Sequence, residues 1–403
     1  MPSPGGSRHG GRIVHVPMAL SVQSSTLMTV VERVSEAWSA LGGTSAAILS
    51  DNRSLMLPGG IDVTYVDYTR DCPREFFTRR ELAVDVARGA LGGLRPHYGH
   101  AYDAAVEAVL AEAADVVLLY EGHYASATLP QWRTVRATKE LCLYVHNPLS
   151  RTYGRRELGR LLDGADRVIF CADHLRADAE HRLGRAEPRF EVVPNGVEPR
   201  FFASAPRERP DVFTVVLVGR IAPHKGMHLG LEAVAAMASK VAGPVRVEVV
   251  GSSSYGGGEP SDYESSLRAS AAAMVAPVEF RGWLEPDELA RSLADASVVC
   301  LPSLGAEGMP LVALEALASG TPVVCSDSPG LLEAVGDVGL VSPRGDVGGM
   351  ADNLARLALD SDEWTARSAA GVERAAGFTW AEVAAKIGGL AWEHPRRASR
   401  GLG

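Results

Sequence analysis

The chain predicts an α/β protein built of two doubly wound domains that face a central cleft, and three observations carry that prediction. Short, apolar, β-branched runs alternate with stretches of helical period along most of the sequence. The alternation breaks once, at a Pro- and charge-rich segment near the middle, and then restarts. At 403 residues the chain also exceeds what a single hydrophobic core usually serves. Strands this apolar, with helices between them, belong to parallel sheets covered on both faces. Sheets of that kind bind ligands in the crevice at the carboxyl ends of their strands.

Taken in order, residues 1–12 form a polar tail, and Ile13–Val16 is the first strand. The apolar run that follows is short and is interrupted by His15 and Pro17, so a disordered lead into a strand fits better than a signal peptide. A helix near 26–41 precedes strands Ser45–Leu49 and Asp62–Val66, and helices near 75–92 and 98–113 lead to the strand Asp115–Leu119. Leu141–Val145, a helix near 154–163, Arg167–Phe170, a helix near 174–183 and Phe190–Val193 complete a first domain over 13–203. The turn-rich stretch from Asn195 to Pro210 reads as the connection, with the linker itself at 204–211.

The second domain, 212–376, repeats the pattern. Its strands are Thr214–Val218, Arg246–Val250, Val278–Phe280, Ser297–Leu301, Pro322–Cys325 and Gly339–Val341. Helices fall near 226–239, 262–275, 286–294 and 310–319, and the chain closes with helices near 346–359, 362–375 and 379–393.

Composition excludes several classes of function. A net charge of −9 argues against a broad nucleic-acid binder. Cys72, Cys142, Cys171, Cys300 and Cys325 show no metal-ligand or redox spacing and read as buried, reduced thiols, which fits the cytoplasm. No apolar run is long enough to span a membrane. The Arg-rich segment from Arg151 to Arg160 has too few large apolar residues to insert, so membrane contact is peripheral at most.

Chemistry concentrates in two stretches of the second domain. In Pro302–Ala316 a strand passes through a polar loop into a helix whose first turn suits Pro310. Glu307 lies in the loop and Glu315 in the helix, roughly 7–8 Å along the axis from Pro310 at 1.5 Å per residue. An anion held at that helix end would have one carboxylate near each of its flanking groups, the order of parts in a sugar–pyrophosphate–ribose compound. Val218–Gly226 presents Arg220 and Lys225 where a strand turns into a helix, and Gly219 lets backbone approach a ligand closely. The second stretch is neither a P-loop nor a dinucleotide fingerprint; by itself the first also fits an ordinary amphipathic helix carrying two glutamates, and the second a solvated Arg and Lys on a surface turn. Asp360-Ser361-Asp362 spells D-x-D but falls between two late helices and reads as a helix cap.

Together, Gly219-Arg220, Lys225-Gly226, Val250-Gly251, Phe280 to Leu284, Pro302-Ser303, the Glu307 and Glu315 pair, and Gly320 to Val324 resemble the retaining nucleotide-sugar glycosyltransferases of family 4. The resemblance is strong over about 190–375 and topological over the first half. It implies the GT-B fold, two Rossmann-like domains, the first binding the acceptor and the second the donor, with a helix at 377–394 crossing back to the first. It further implies that Arg220 and Lys225 hold the donor pyrophosphate and that Glu307 contacts the sugar. Glu315 would take the ribose hydroxyls, and backbone around Trp283 and Leu284 would read the base. Gly219, Gly251, Gly308, Met309, Leu311 and Val312 would line the nucleotide pocket. His146 matches the position of a histidine beside the donor sugar. The first loop lacks the glycines of many relatives, so Gln23, Ser24 and Ser25 are acceptor-side candidates, as are Glu121 and His123.

The expected activity is therefore transfer of a hexose, of glucose or N-acetylglucosamine type, from a UDP-sugar to an acceptor hydroxyl by a front-face, retaining mechanism. No metal and no further cofactor are expected, and oligomeric state stays open. A nucleotide-sugar epimerase of the same fold and a catalytically silent nucleotide-sugar-binding protein are the rival readings. A nicotinamide dehydrogenase fits less well, since neither half has the glycine fingerprint.

Overall fold

A computed structural model describes residues 10–17, 26–50, 60–66, 78–90, 103–120, 129–151, 153–253 and 259–392. The chain divides into two units, one running to Pro194 and resuming at Trp380, the other spanning Asn195–Thr379. Unit 1 contains β1 (Arg12–Pro17), α1 (Thr26–Ala40), β2 (Thr44–Ser50), β3 (Ile61–Val66), α2 (Arg79–Ala90), α3 (Asp103–Ala111) and β4 (Val116–Tyr120). It continues through α4 (Leu129–Thr138), β5 (Glu140–Val145), α5 (Arg155–Asp163), β6 (Arg167–Phe170), α6 (Asp173–Leu183) and β7 (Phe190–Val192). Among the described residues its strands form one parallel sheet in the order β3-β2-β1-β4-β5-β6-β7. Every residue of β4 is buried, as a central strand covered on both faces requires.

Unit 2 contains β8 (Phe213–Val218), α7 (Met227–Ala238), β9 (Val245–Val250), α8 (Asp262–Ala272), β10 (Val278–Gly282), α9 (Pro286–Asp295) and β11 (Val298–Leu301). Then come α10 (Leu311–Ala318), β12 (Val323–Ser326), α11 (Pro329–Val335), β13 (Leu340–Ser342), α12 (Val347–Leu359) and α13 (Ser361–Ala375). Its parallel sheet runs β10-β9-β8-β11-β12-β13. Val215, Leu217, Val247, Val249, Val298 and Cys300 form the centre of its core. In both units the strand order reverses beside the first strand, the doubly wound pattern that opens a ligand crevice at the carboxyl ends. The last helix, α14 (Trp380–Trp392), belongs to unit 1, where Gly388 lies against Trp38 of α1.

Several sequence expectations need correction. The expected first domain of 13–203 and the linker at 204–211 give way to a boundary at Pro194/Asn195, because the intervening segment is tied into unit 2. Val197 N donates to Phe378 O at 2.8 Å, and Ala203 N to Ala318 O at 2.9 Å. Arg207 donates to Thr321 Oγ1 at 2.5 Å and to Ala296 O at 3.0 Å. Charge and turn residues thus mark a segment anchored by its polar groups. Helix α4 escaped the periodicity reading because it sinks only Trp132 and Val135 among its described side chains, the others being Ala137 and polar residues, and α11 is a short helix of seven residues.

Pro310 is the N-cap of α10, with extended backbone at φ −68° and ψ 118°, and the helix starts at Leu311. Its missing N–H is harmless there too. The D-x-D stretch is a cap: the Asp360 carboxylate accepts from the amides of Asp362 and Glu363 at 3.1 and 2.9 Å. Cys142, Cys171, Cys300 and Cys325 are buried and form no disulfide among the described residues, and Cys72 lies outside the described residues.

Candidate active site

The site in unit 2 is assembled from loops that leave the carboxyl ends of β8, β9, β10 and β11. Beyond the strand ends the pairing continues: Gly219 N donates to Val250 O at 3.0 Å, Gly251 N to Gly282 O at 2.7 Å, and Ile221 N to Ser252 O at 3.0 Å. Gly251 has φ +126°, and a Cβ there would stand 2.0 Å from Gly219 O. Both its backbone region and its surroundings therefore require glycine. Gly219, at φ +133°, would meet nothing within 4 Å, so its own face is open to an approaching group.

After Gly219 the chain makes one short helical turn, Pro223–Lys225, before α7. The carbonyl of His224 accepts the amides of Leu304 and Gly305 at 2.9 and 3.0 Å, hanging the β11 loop on the β8 loop. That brings Lys225 to Glu307: Nζ lies 2.8 Å from both carboxylate oxygens. Ser303 Oγ donates to Glu307 Oε1 at 2.7 Å. Ser328, from the turn between β12 and α11, accepts Glu307 N at 3.0 Å and donates to Gly305 O at 3.0 Å. Burial pushes the Glu307 carboxyl upward, but the charge and hydrogen bonds of Lys225, with Ser303 and His224 adding to them, hold it below the usual carboxylate range. A cavity of about 40 Å³ is lined by Gly219, Lys225, Ser303, Glu307, Pro310 and Val312.

Arg220 is exposed and forms no ion pair among the described residues, and neither it nor Glu315 lines that cavity. Trp283 is exposed and Leu284 half-buried, on the turn after β10. Gly308 is half-buried; Met309 is buried and its carbonyl accepts Asn195 Nδ2 at 3.0 Å. Leu311 and Val312, both half-buried, open α10, so their amides have no intrahelical acceptor. Burial, with the Glu198 carboxylate adding to it, pushes the half-buried Glu315 carboxyl up to about 8.

In unit 1, His146 follows β5 and is buried, its ring centroid 4.2 Å from Tyr144 and 5.8 Å from Tyr120. Its Nε2 is buried without a hydrogen-bond partner among the described residues. His15 is buried beside Tyr120, with Nδ1 2.9 Å from the Tyr120 hydroxyl and Nε2 3.1 Å from Ser35 Oγ. Burial lowers both histidines to about 3. Gln23, Ser24, Ser25, Glu121 and His123 lie outside the described residues.

The histidines imply a pH dependence. The unfolded chain takes up a proton near pH 6.5 that the folded chain refuses until about 3, so this contribution is complete above 6.5 and is lost as pH falls through that window. We expect a slope of about 1.4 kcal/mol per pH unit for each histidine. Urea unfolding at pH 7, 6 and 5 checks it: a His15→Gln chain should show the shallower dependence, and equal slopes would contradict the assignment.

Sequence reading assigns no site role to Asn195, Glu198, Ser303 or Ser328. Asn195 and Glu198 sit in a turn-rich segment that looks like a connector, and Ser303 enters only through Pro302-Ser303 in the family resemblance. Nothing local marks Ser328, whose role depends on β12 lying beside β11.

Two doubly wound parallel sheets are the architecture of the two-domain glycosyltransferase-B class. A crystal structure of Anabaena HepE in complex with UDP and glucose superimposes with a TM-score of 0.69 at 16% identity, covering 94% of this chain and 98% of that one. A model described as Glycosyltransferase Family 4 matches residues 57–201, and one described as Glycosyl transferases group 1 matches residues 212–360. The chain belongs to family 4 of the nucleotide-sugar glycosyltransferases. It is 31% identical over 257 residues to a phosphatidyl-myo-inositol mannosyltransferase of Mycobacterium leprae, covering 62% of this chain and 63% of that protein. It is 36% identical over 241 residues to a D-inositol 3-phosphate glycosyltransferase of Kribbella flavida, covering 55% and 56%. The matches thus span about three fifths of these relatives. Among the described residues no group of three or more His, Cys, Asp or Glu is placed to hold a metal ion, and no helix is long and apolar enough to cross a membrane.

Proposed function

We propose that the chain transfers a hexose from a UDP-sugar to a hydroxyl of a small-molecule or sugar acceptor, keeping the anomeric configuration. The observation that carries this reading is the Lys225–Glu307 pair, set against an open cavity beside the start of α10. Lys225 and Arg220, with the free amides of Leu311 and Val312, neutralise the diphosphate. Glu307 receives hydroxyls of the sugar, and Glu315 engages the ribose. The bond from the sugar C1 to the β-phosphate oxygen breaks, the bond from C1 to the acceptor oxygen forms on the same face, and the acceptor's proton passes to the departing phosphate oxygen. His146 enters as a neutral hydrogen-bonding ring, since its depressed basicity suits it poorly to remove a proton. Unit 1 takes the acceptor.

Both relatives named above act, by their names, on inositol-containing compounds, so cyclitols and their phosphates head the acceptor screen. Mass spectrometry of mixtures of UDP-glucose, UDP-N-acetylglucosamine or GDP-mannose with such acceptors tests the proposal. A new α-linked glycoside together with free nucleoside diphosphate is the expected product. An isomerised donor, or no turnover of any donor, would overturn it.

Because side chains and helix amides supply the positive charge in this reading, transfer should continue unchanged in excess EDTA. Loss of rate in chelator, restored by added magnesium or manganese, would show that a cation shares the work.

A further inference from the structure

We infer that the Lys225–Glu307 ion pair lets the site distinguish an intact nucleotide-sugar from the spent nucleoside diphosphate, an inference that rests on the function proposed above. The Glu307 carboxylate engages Lys225 through both oxygens at 2.8 Å and so takes the place an anionic ligand of that lysine would take. The pair is shielded, with the lysine and glutamate side chains 25% and 14% exposed. It is also held from the glutamate side, where Ser303 grips Oε1 and Ser328 fixes the backbone amide. The carboxylate therefore cannot swing freely into water when its cation is taken.

A diphosphate that captures Lys225 leaves a shielded carboxylate without its cation, and that penalty weakens binding of the diphosphate alone. An intact donor brings sugar hydroxyls that donate hydrogen bonds to the freed carboxylate and offset the loss. Transfer removes the sugar and with it that compensation, so Glu307 reclaims Lys225 as the nucleotide leaves. The same two residues thereby favour both donor entry and product exit.

Calorimetric titration of UDP, with GDP in parallel, into the wild-type and Glu307→Gln chains tests this. The neutral glutamine no longer competes for Lys225, so the variant should bind the nucleoside diphosphate roughly five- to tenfold more tightly than wild type. Its preference for the matching nucleotide-sugar, UDP-glucose or GDP-mannose, over the diphosphate should shrink in step. Glu307→Asp, which keeps the charge but withdraws it by one methylene, should give a smaller tightening and serves if the glutamine chain does not fold. Unchanged or weaker diphosphate binding in a variant that melts like wild type overturns the inference and leaves the proposed function standing. A wild-type chain that binds neither UDP nor GDP overturns both.

Discussion

Lys225→Ala should lower turnover by about two to three orders of magnitude, the usual effect of removing one preorganised donor to a developing negative charge. The lysine is placed by the single turn Pro223–Lys225, and its charge stands at the carboxyl end of β8 beside the opening of α10. In the proposed reaction the β-phosphate oxygen gains charge as the bond to the sugar lengthens, so an ammonium group there stabilises the transition state more than the bound donor. The fall should therefore appear mainly in kcat. Some loss of stability accompanies it, because Glu307, shielded and held by Ser303, is left without its cation. Lys225→Gln, which can still donate a hydrogen bond to that carboxylate, should recover stability without recovering rate. Steady-state kinetics and melting curves on both variants decide the matter, and near-normal turnover in either would remove Lys225 from the mechanism.

The second large effect is expected at a residue that touches no substrate. Gly330 lies in the first turn of α11, and a Cβ there would stand 1.7 Å from Gly308 O and 2.7 Å from Glu307 O. Its backbone lies outside the left-handed region, so space alone forbids a side chain. Gly330→Ala must push the loop bearing Glu307 and Gly308 away from α11, strain the Ser328 bond to Glu307 N, and move the carboxylate from Lys225. A displacement near 1 Å at a reacting centre commonly lowers rate about a hundredfold, and we expect a fall of that size. Gly348 in α12 is the control, since a Cβ there meets nothing closer than Asp346 Oδ1 at 3.6 Å. Gly348→Ala should leave rate unchanged and raise the melting temperature slightly. Equal rates for the two variants would mean that α11 does not mould the loop.

The strands were the most legible part of the chain. Runs such as Val116–Leu119 and Val298–Leu301 are apolar at successive positions because parallel strands bury both faces. Helices were legible where an apolar stripe was wide, and α4 was missed because two buried anchors among polar side chains leave little period to read. The segment after Asn195 misled for a different reason. Its polar residues are those of a connector, yet Asn195 Nδ2 and the Arg207 guanidinium donate to carbonyls and a hydroxyl of unit 2. Composition tells that a residue is polar; only its neighbours tell whether the polarity faces water. Likewise the residue types at Lys225 and Glu307 invited a phosphate-and-sugar reading, while their contact with one another was not foreseen.

What the sequence determined by itself was the alternation, and through it two parallel sheets with their strand ends available for chemistry, because a local period decides which faces can be buried. What the tertiary structure decided was which strand ends meet. Lys225 and Glu307 are 82 positions apart, and they touch because β8 and β11 lie side by side although two strands separate them along the chain. That neighbour relation comes from packing helices on both faces of a twisted sheet. It places a cation, two carboxylate oxygens and two serine hydroxyls within hydrogen-bonding reach, a geometry no local stretch of residues encodes.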